Sequence, residues 1–302
     1  MNKSAIAQSP SRTGATPRDD RVFLVTRIAA LGVIIILVLA VAVLYFQPDQ
    51  TDRYFAWTIK PLLTPLAMGA GYLMGIYFFV RALTTRRWHQ VAAGFLPITA
   101  FTIFMLLATL LHLDRFNQGT LAFTLWLVIY ILTPVLVPVL WLNNRRTDPQ
   151  TAEANEMLIP PRLRQSFGAV GLVVLVLGLM AFVFPDLAIR VFPWKLTPLT
   201  ARVIAGWMML PGVGGIVLSR EPRWSSWRVL FEAAMVAVVF FALALPRAWG
   251  DLDQSNPLTW GLLALLVLLV VGLPLFYYSM QTRRFQVSAP ELNTSSSRAR
   301  RV

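Results

Sequence analysis

Eight long apolar runs restrict what this chain can fold into more than any other feature of its sequence. An α-helix rises about 1.5 Å per residue, so about 20 residues cross a hydrocarbon core of about 30 Å. Uncharged runs of this length are typical of membrane spans rather than of soluble domains. The sequence therefore predicts an all-α, polytopic integral membrane protein with eight transmembrane helices. The predicted spans are 22–46, 61–83, 91–112, 120–142, 165–184, 199–218, 227–246 and 259–280.

The composition excludes several classes of function. Charged residues make up only 14% of the chain, against about a quarter in soluble proteins. The chain has no cysteine, which rules out disulfides, thiolate catalysis and cysteine-based metal sites. It contains no Walker A segment, dinucleotide-binding glycine motif, HExxH or GxSxG. The sequence therefore predicts no cofactor, no metal and no catalytic residue of a familiar type.

The positions of the basic residues predict how the chain crosses the membrane. With one threading of eight spans, 20 of the 27 lysines and arginines fall at the end that holds both termini, and seven fall at the other end. Basic residues favour the cytoplasmic side, so we expect both termini in the cytoplasm and the chain in a cell membrane of the prokaryotic plasma-membrane type. Because these charges flank the spans, the net charge of +13 does not indicate nucleic-acid binding.

The two halves of the chain resemble each other in five short matches, which occur in the same order at offsets of 133 to 139 residues. Four spans return a chain to the side where it entered, so both copies would cross in the same direction. The sequence therefore predicts two parallel four-helix repeats related by a pseudo-two-fold axis along the membrane normal. The predicted organisation is a disordered cytoplasmic tail at 1–20, repeats at 21–146 and 165–284, a cytoplasmic linker at 147–164, and a disordered cytoplasmic tail at 285–302.

The longest match places an arginine and a tryptophan in the first outer loop of each half. A guanidinium suits an anionic headgroup or substrate, and an indole suits the headgroup level of a bilayer. The candidate contacts for an anion or a headgroup are therefore Arg53, Trp57, Arg190 and Trp194. In the alternative interpretation, which the residues favour more, each arginine pairs with the aspartate four positions before it and forms a structural clasp.

A second group of polar residues lies in the other two outer loops. It consists of His112, Asp114, Asp251 and Asp253. A histidine with several carboxylates is a candidate site for a divalent cation or a proton. None of these residues has the helical spacing of a metal-ligand pair, so loop capping is the alternative. In that interpretation Asn117 and Asn256 are N-caps of the fourth and eighth spans.

Three further positions have two interpretations each. Glu232 lies inside an apolar run, where a carboxylate marks a functional site unless a cation compensates it, and Arg228 is one turn away. His89 follows basic residues in a short loop and is interpreted as an interfacial anchor rather than as a functional group. Pro211 and the glycines after it permit either close helix packing or a break in the sixth span.

The sequence leaves three hypotheses for function. The first is a small-solute transporter or channel-like protein with its pathway between the two halves. The second is a non-enzymatic membrane component that binds a partner or senses the envelope, and the third is a membrane enzyme acting on a lipid-linked substrate. The lipid bilayer is the partner that the spans imply, while a protein partner, a homo-oligomer and a small-molecule ligand are left open. Spans made mainly of Leu, Val, Ala and Phe offer few polar groups to a pathway.

Overall fold

The computed structural model describes residues 18–152 and 156–287, with side chains as far as residue 282. Within these segments the chain is helical, with isolated bridges but no strand. Eight of the helices there are long and apolar enough to cross a membrane. This confirms the all-α fold with eight candidate spans, and it is compatible with a multi-pass membrane protein. The tails predicted at 1–20 and 285–302 lie outside the described residues, except for 18–20 and 285–287.

The long helices begin and end within a few residues of most of the predicted spans. In chain order the helices are α1 (Leu24–Leu44), α2 (Thr51–Tyr54), α3 (Leu63–Thr84), α4 (His89–Leu111), α5 (Leu121–Asn144), α6 (Pro161–Val183), α7 (Pro185–Val191), α8 (Pro198–Arg220), α9 (Trp224–Ala244) and α10 (Pro257–Val287). Helices α2 and α7 are short, and the other eight are the candidate spans. Four helices (α6, α7, α8 and α10) begin with proline, whose fixed φ and missing N–H suit the first helical position.

Hydrogen bonds between loops and between helix ends define two ends of the helix bundle. At the end that we call the terminal end, Asp20 N–H donates to the Thr147 carbonyl at 2.9 Å. At the same end, the Trp224 indole N–H donates to Gln281 Oε1 at 3.2 Å. At the opposite, distal end, the loops that follow α1, α4, α6 and α9 are joined in the same way. The first and last described residues therefore lie at one end of the bundle, as an even number of spans requires.

Four helices, α3, α4, α8 and α9, form the centre of the bundle. Helix α1 packs on α3 and α6 packs on α8, while α5 packs on α4 and α10 packs on α9. Between the two halves, α3 contacts α9, α8 contacts α4, and α4 contacts α9. The outer helices expose many large apolar side chains, which suits a lipid environment.

Glycines allow α6 and α8 to approach closely. A Cβ built on Gly171 would lie 2.8 Å from the Gly212 carbonyl oxygen and 2.8 Å from Gly215 Cα. Small residues at such contacts let helix backbones pack by van der Waals attraction, which holds helices together in lipid. Pro211 causes no break, because α8 continues through it as one helix. The alternative of an interrupted sixth span is therefore wrong.

Replacing Gly171 with alanine is expected to destabilise the protein. The added methyl group would meet backbone atoms of α8, which cannot move without separating the two helices, and such overpacking costs about 1–3 kcal/mol. Gly272 in α10 has nothing within 4 Å of a built Cβ, so Gly272→Ala serves as the control. Thermal unfolding in one detergent measures both variants, and an unchanged melting temperature for Gly171→Ala would contradict the close packing.

Candidate functional site

A lateral cavity of about 300 Å³ lies between α3, α8, α9 and α10. Its lining is almost wholly apolar and includes Met68, Met74, Ala237, Leu265 and Leu269. Leu265 is 50% exposed and lies about two turns inside α10, so the cavity opens on the side of the bundle. Such a cavity can hold a hydrocarbon chain, whereas it offers a hydrated solute almost no hydrogen bonds.

A second pocket, the distal pocket, has a volume of about 510 Å³ and lies at the distal end. Its charged lining residues are Asp49, Lys60 and Lys195, all exposed. Pro48 and residues 59–62 supply the rest of the lining. Among the described residues, none of the three charged groups forms an ion pair. The distal pocket therefore presents two cations and one anion to a ligand.

The lateral cavity and the distal pocket are neighbours along two segments of the chain. Leu62 lines the pocket and Thr64 lines the cavity. In the second segment, Lys195 lines the pocket and Trp194 lines the cavity. The Trp194 indole N–H donates to Thr64 Oγ1 at 2.9 Å and joins the two segments at this boundary. A molecule with a polar head and an apolar chain can therefore contact both sites at once.

In the predicted Arg/Trp motif of the outer loops, the arginines are exposed and the tryptophans are buried. Arg53 and Arg190 are exposed, and neither pairs with an aspartate in the part of the chain that the structure describes. The favoured clasp is therefore not formed, and Arg53 lies instead over the Tyr54 ring at 4.9 Å. Trp57 and Trp194 are only 2% and 6% exposed, because apolar and aromatic side chains of the distal core surround them. The two indoles are therefore packed in the core rather than exposed to lipid headgroups.

His112, from the second predicted group, contacts an arginine rather than a carboxylate. Its Nε2 lies 2.7 Å from a guanidinium nitrogen of Arg202. Burial and the charge of Arg202 both lower the pKa of His112, so the ring is neutral and accepts the hydrogen bond. Since this nitrogen is already occupied by a cationic donor, it is not available to a metal ion.

The three aspartates of the same predicted group each have a local partner. Asp251 accepts the Leu63 N–H at 2.8 Å, at the start of α3. Asp253 accepts the Ser255 N–H at 3.0 Å, and Asp114 pairs with the next residue at 3.0 Å. No three metal-ligating side chains cluster in the described segments. The predicted cation site is therefore not assembled there, and loop capping describes these residues better.

One of the two predicted asparagine caps is formed. Asn256 Oδ1 accepts the Leu258 N–H at 2.9 Å and caps α10. Helix α5 is capped by Thr120, whose Oγ1 accepts the Phe123 N–H at 3.2 Å, so the prediction for Asn117 is wrong. The Asn117 amide lies before the helix start and donates to carbonyls of the outer loop that contains α2. Asn256 also donates to the corresponding loop of its own half, so each asparagine ties two distal loops together.

Glu232 is surrounded by hydrogen-bond donors from three helices. The Tyr77 hydroxyl and Arg81 donate to its Oε2 at 2.7 and 2.8 Å, and the Tyr277 hydroxyl donates to its Oε1 at 2.8 Å. Arg228, the partner that the sequence indicated, lies 3.3 Å from Oε1. The other three donors come from α3 and α10 and have no local sequence signal. With Arg81 and Arg228 beside it, Glu232 joins α3, α9 and α10.

His89, interpreted from the sequence as an interfacial anchor, is buried at the terminal end. It is 3% exposed, its Nδ1 bonds to the Asp20 carboxylate, and its Nε2 lies 2.9 Å from Ser225 Oγ. Asp20 also accepts the His89 backbone N–H, and Glu156 accepts the Ser225 backbone N–H at 2.9 Å. Each carboxylate thus caps one central helix, α4 or α9, and the His89–Ser225 hydrogen bond joins the two helix starts.

The order aspartate, histidine, serine is that of a hydrolase triad, but its surroundings do not support catalysis. Ser225 is 7% exposed, and its N–H is already bonded to Glu156. The next N–H, of Ser226, donates to the Arg223 carbonyl at 3.2 Å. Neither N–H is therefore free to stabilise an oxyanion. Sequence reasoning missed this arrangement, although His89 and Ser225 each follow a tryptophan at the start of a span.

A buried ion-pair network lies at the same end. Arg223 donates to both oxygens of Asp148, at 2.8 and 3.0 Å, and also bonds to the Glu221 carboxylate. Burial raises the pKa of Asp148, but hydrogen bonds from Arg223 and from a backbone N–H lower it more, so its pKa lies below the ordinary value. Burial lowers the pKa of Arg223, and its two carboxylate partners raise it more. Both groups therefore stay ionised and fix the loops after α5 and α8.

No family model matches the chain, and neither a curated protein nor a solved structure matches it. The function is therefore argued from the geometry of the lateral cavity and the distal pocket. The groups of the terminal-end network and of the Glu232 cluster bond to one another and position the helices around them.

Replacing Ser225 with alanine is expected to lower the melting temperature more than the same change at Ser226. Ser225→Ala leaves a buried His89 nitrogen without a partner, which costs about 1–3 kcal/mol. Ser226 is fully buried, and its Oγ has no hydrogen-bond partner among the described residues, so Ser226→Ala removes no bond. Thermal unfolding of both variants measures the difference. Equal melting temperatures would show that the His89–Ser225 hydrogen bond does not stabilise the fold.

Proposed function

We propose that this chain is a lipid-binding membrane protein, which holds a hydrocarbon chain of a membrane lipid in the lateral cavity. The observation that carries the proposal is an apolar cavity of about 300 Å³ that opens on the side of the bundle, where lipid chains lie in a bilayer. At about 30 Å³ for a group the size of a water molecule, this volume takes about ten methylene-sized groups. It falls at the lower end of the range of about 300–1,000 Å³ typical of ligand sites.

We further propose that residues 21–146 and 165–284 are two parallel four-helix repeats, joined by 147–164. Their pseudo-two-fold axis would pass between α4 and α9. Corresponding contacts in the two halves support this arrangement. Helix α3 packs on α9 in the same way as α8 packs on α4. An isolated β-bridge joins residues 21 and 87, and a second one joins the corresponding residues 158 and 223. The carboxylates that cap α4 and α9 form a further corresponding pair.

The proposed repeat accounts for the cavity by a difference in side-chain size between its two copies. Three aromatic residues of the first half align with smaller residues of the second, at offsets of 136 and 139: Phe101 with Ala237, Trp126 with Leu265, and Tyr130 with Leu269. In the first half the rings pack together, with centroids 6.2 Å apart for Phe101 and Tyr130 and 4.4 Å apart for Trp126 and Tyr130. In the second half the aligned aliphatic residues line the lateral cavity. The cavity thus corresponds to the space that the three rings occupy in the first half.

The distribution of basic residues supports a cell-membrane location with the terminal end in the cytoplasm. Of the 27 lysines and arginines, 20 belong to the segments at the terminal end or to the tails beyond it. The lateral cavity reaches Thr64 and Trp194, which lie close to the distal starts of α3 and α8. In this orientation the bound lipid chain belongs to the outer leaflet.

Lipid binding places the protein among non-enzymatic membrane components, the second hypothesis from the sequence. Transport of a small polar solute is less well supported, because the lining of the lateral cavity offers almost no hydrogen bonds. An enzyme acting on a lipid-linked substrate would need a positioned acid, base or nucleophile at the cavity. The charged groups of the distal pocket are surface side chains and make no such constellation.

Reporter fusions at residues 10 and 290 are expected to be active with a reporter that needs the cytoplasm and inactive with one that needs export. A fusion at residue 118, in a distal loop, provides the control and should give the opposite result. Activity of an export-dependent reporter at residues 10 and 290 would reverse the proposed orientation. Opposite results at these two positions would contradict the even number of spans.

Ala237→Phe is expected to fill the lateral cavity, because it restores the aromatic residue found at the aligned position of the first half. A phosphatidylcholine with a diazirine on its acyl chain should label the wild-type protein on cavity-lining segments of α3 and α10, and the variant should lose most of this labelling. Ala264→Phe places the same ring on the exposed face of α10 and should leave the labelling unchanged. Equal labelling of all three proteins at these segments would refute chain binding in the cavity.

A further inference from the structure

Lipid chains alone give the lateral cavity little selectivity. Bilayer hydrocarbon is as apolar as the cavity lining, so insertion of a chain gains almost no hydrophobic free energy. Discrimination between lipids has to come from polar groups next to the cavity. The distal pocket supplies such groups at the boundary marked by the Trp194–Thr64 hydrogen bond.

We propose that the distal pocket binds the headgroup of a phospholipid that carries a primary ammonium, the phosphatidylethanolamine class. The phosphate lies between Lys60 and Lys195, and the ammonium lies at Asp49. The inference rests on the proposed function, since a chain of the same lipid occupies the lateral cavity. The pocket volume of about 510 Å³ exceeds that of the cavity and leaves room for a hydrated headgroup.

The charges of the distal pocket are opposite in sign to those of this headgroup, with two cations for the phosphate and one anion for the ammonium. Lys60 and Lys195 come from different halves of the chain and line one pocket. Each ammonium has three donors for phosphate oxygens, and neither is engaged by a carboxylate in the described segments. Asp49 is also exposed and free of ion pairs there, so its carboxylate can accept hydrogen bonds from a ligand ammonium. When the two lysines bind the phosphate, the Asp49 carboxylate determines which headgroup on that phosphate is bound most tightly.

The choice among phospholipids follows from hydrogen-bonding chemistry. A primary ammonium donates hydrogen bonds to a carboxylate, so ethanolamine satisfies Asp49 as well as the two lysines. A quaternary choline ammonium has no N–H and can only attract the carboxylate electrostatically. The glycerol headgroup of phosphatidylglycerol brings no cation, so no group of that lipid can form an ion pair with Asp49. The predicted affinity is highest for phosphatidylethanolamine and lower for both phosphatidylcholine and phosphatidylglycerol.

The position of the distal pocket places the headgroup at the correct depth. The pocket includes residues 59–62, directly before the first residue of α3, and Lys195 lies three residues before the first residue of α8. These helix starts mark the distal limit of the spanning segments, which is the level of phosphates in a bilayer. Lysines at this level attract lipid phosphate. From there the lipid chain continues past Thr64 into the cavity.

Competition between lipids tests the inference. The full-length protein, stripped of lipid in detergent, is incubated with an equimolar mixture of phosphatidylethanolamine, phosphatidylglycerol and phosphatidylcholine with identical acyl chains. Native mass spectrometry then counts the bound lipids. Wild-type protein is expected to retain the ethanolamine lipid over each of the other two. K60Q/K195Q should lower its retention about thirtyfold, since both phosphate partners are lost and each accounts for about a fivefold change.

Two further variants separate the roles of the charges. D49N should keep phospholipid binding but lose the preference for ethanolamine over glycerol. R53Q/R190Q removes the same number of positive charges at the same end from residues outside the pocket lining, and it should bind lipid as the wild type does. Loss of binding in R53Q/R190Q but not in K60Q/K195Q would overturn the assignment of the phosphate site. A glycerol or choline preference in the wild type would overturn the role of Asp49.

Labelling with the diazirine lipid distinguishes failure of this inference from failure of the proposed function. If the wild type retains the three lipids equally while the lateral cavity is still labelled, the headgroup site is wrong and chain binding stands. If the cavity is not labelled with any lipid, chain binding is wrong, and the headgroup inference fails with it. Melting temperatures of the variants, expected within a few degrees of the wild type for exposed side chains, exclude misfolding as the cause of lost binding.

Discussion

Two carboxylates and one hydrogen bond at the terminal end hold the centre of this structure together. Asp20 and Glu156 accept backbone N–H groups in the first turns of α4 and α9, where the positive end of a helix dipole favours negative charge. The hydrogen bond between His89 and Ser225 then joins the two helix starts. Helices α3 and α8 pack across this pair, and the four outer helices pack on the four central ones. The contact between α4 and α9 therefore connects the two halves at the terminal end, beside the larger contacts of α4 with α8 and of α3 with α9.

The contact between the two halves is tight at its centre. A Cβ on Gly71 would lie 2.4 Å from the Trp207 ring, and one on Gly206 would lie 2.2 Å from Met105 Cε. Each glycine thus makes room for a large side chain from the other half, and these side chains fill the space that a water-filled pathway would need. The space that stays open lies to the side, where the second half has Ala237 in its lining. Packing of this kind suits a protein that holds a lipid at its flank better than one that passes solutes through its middle.

The spans could be predicted from the sequence because a run of apolar residues forms a helix in lipid whatever its neighbours are. The site depended on contacts between distant segments, which leave no local pattern. Trp57 follows an exposed turn and resembles an interfacial anchor, yet rings from other distal segments bury it. Glu232 and Arg228 are one turn apart and could be paired in advance, whereas Tyr77 reaches the carboxylate from another helix. The burial of His89 could not be predicted for the same reason, since it arises where α4 meets α9.

A cavity as large as the lateral one would be costly if it stayed empty. At about 24 cal/mol per Å³, a void of about 300 Å³ would cost about 7 kcal/mol, comparable with the whole stability of about 5–15 kcal/mol of a typical domain. The void opens to the side, so in a bilayer a lipid chain can fill it and recover the lost van der Waals contacts. A lipid that binds the folded protein and not the unfolded chain then stabilises the fold in proportion to its occupancy. The small side chains at 237, 265 and 269 leave this space open in the second half, whereas the rings at 101, 126 and 130 pack against one another in the first half.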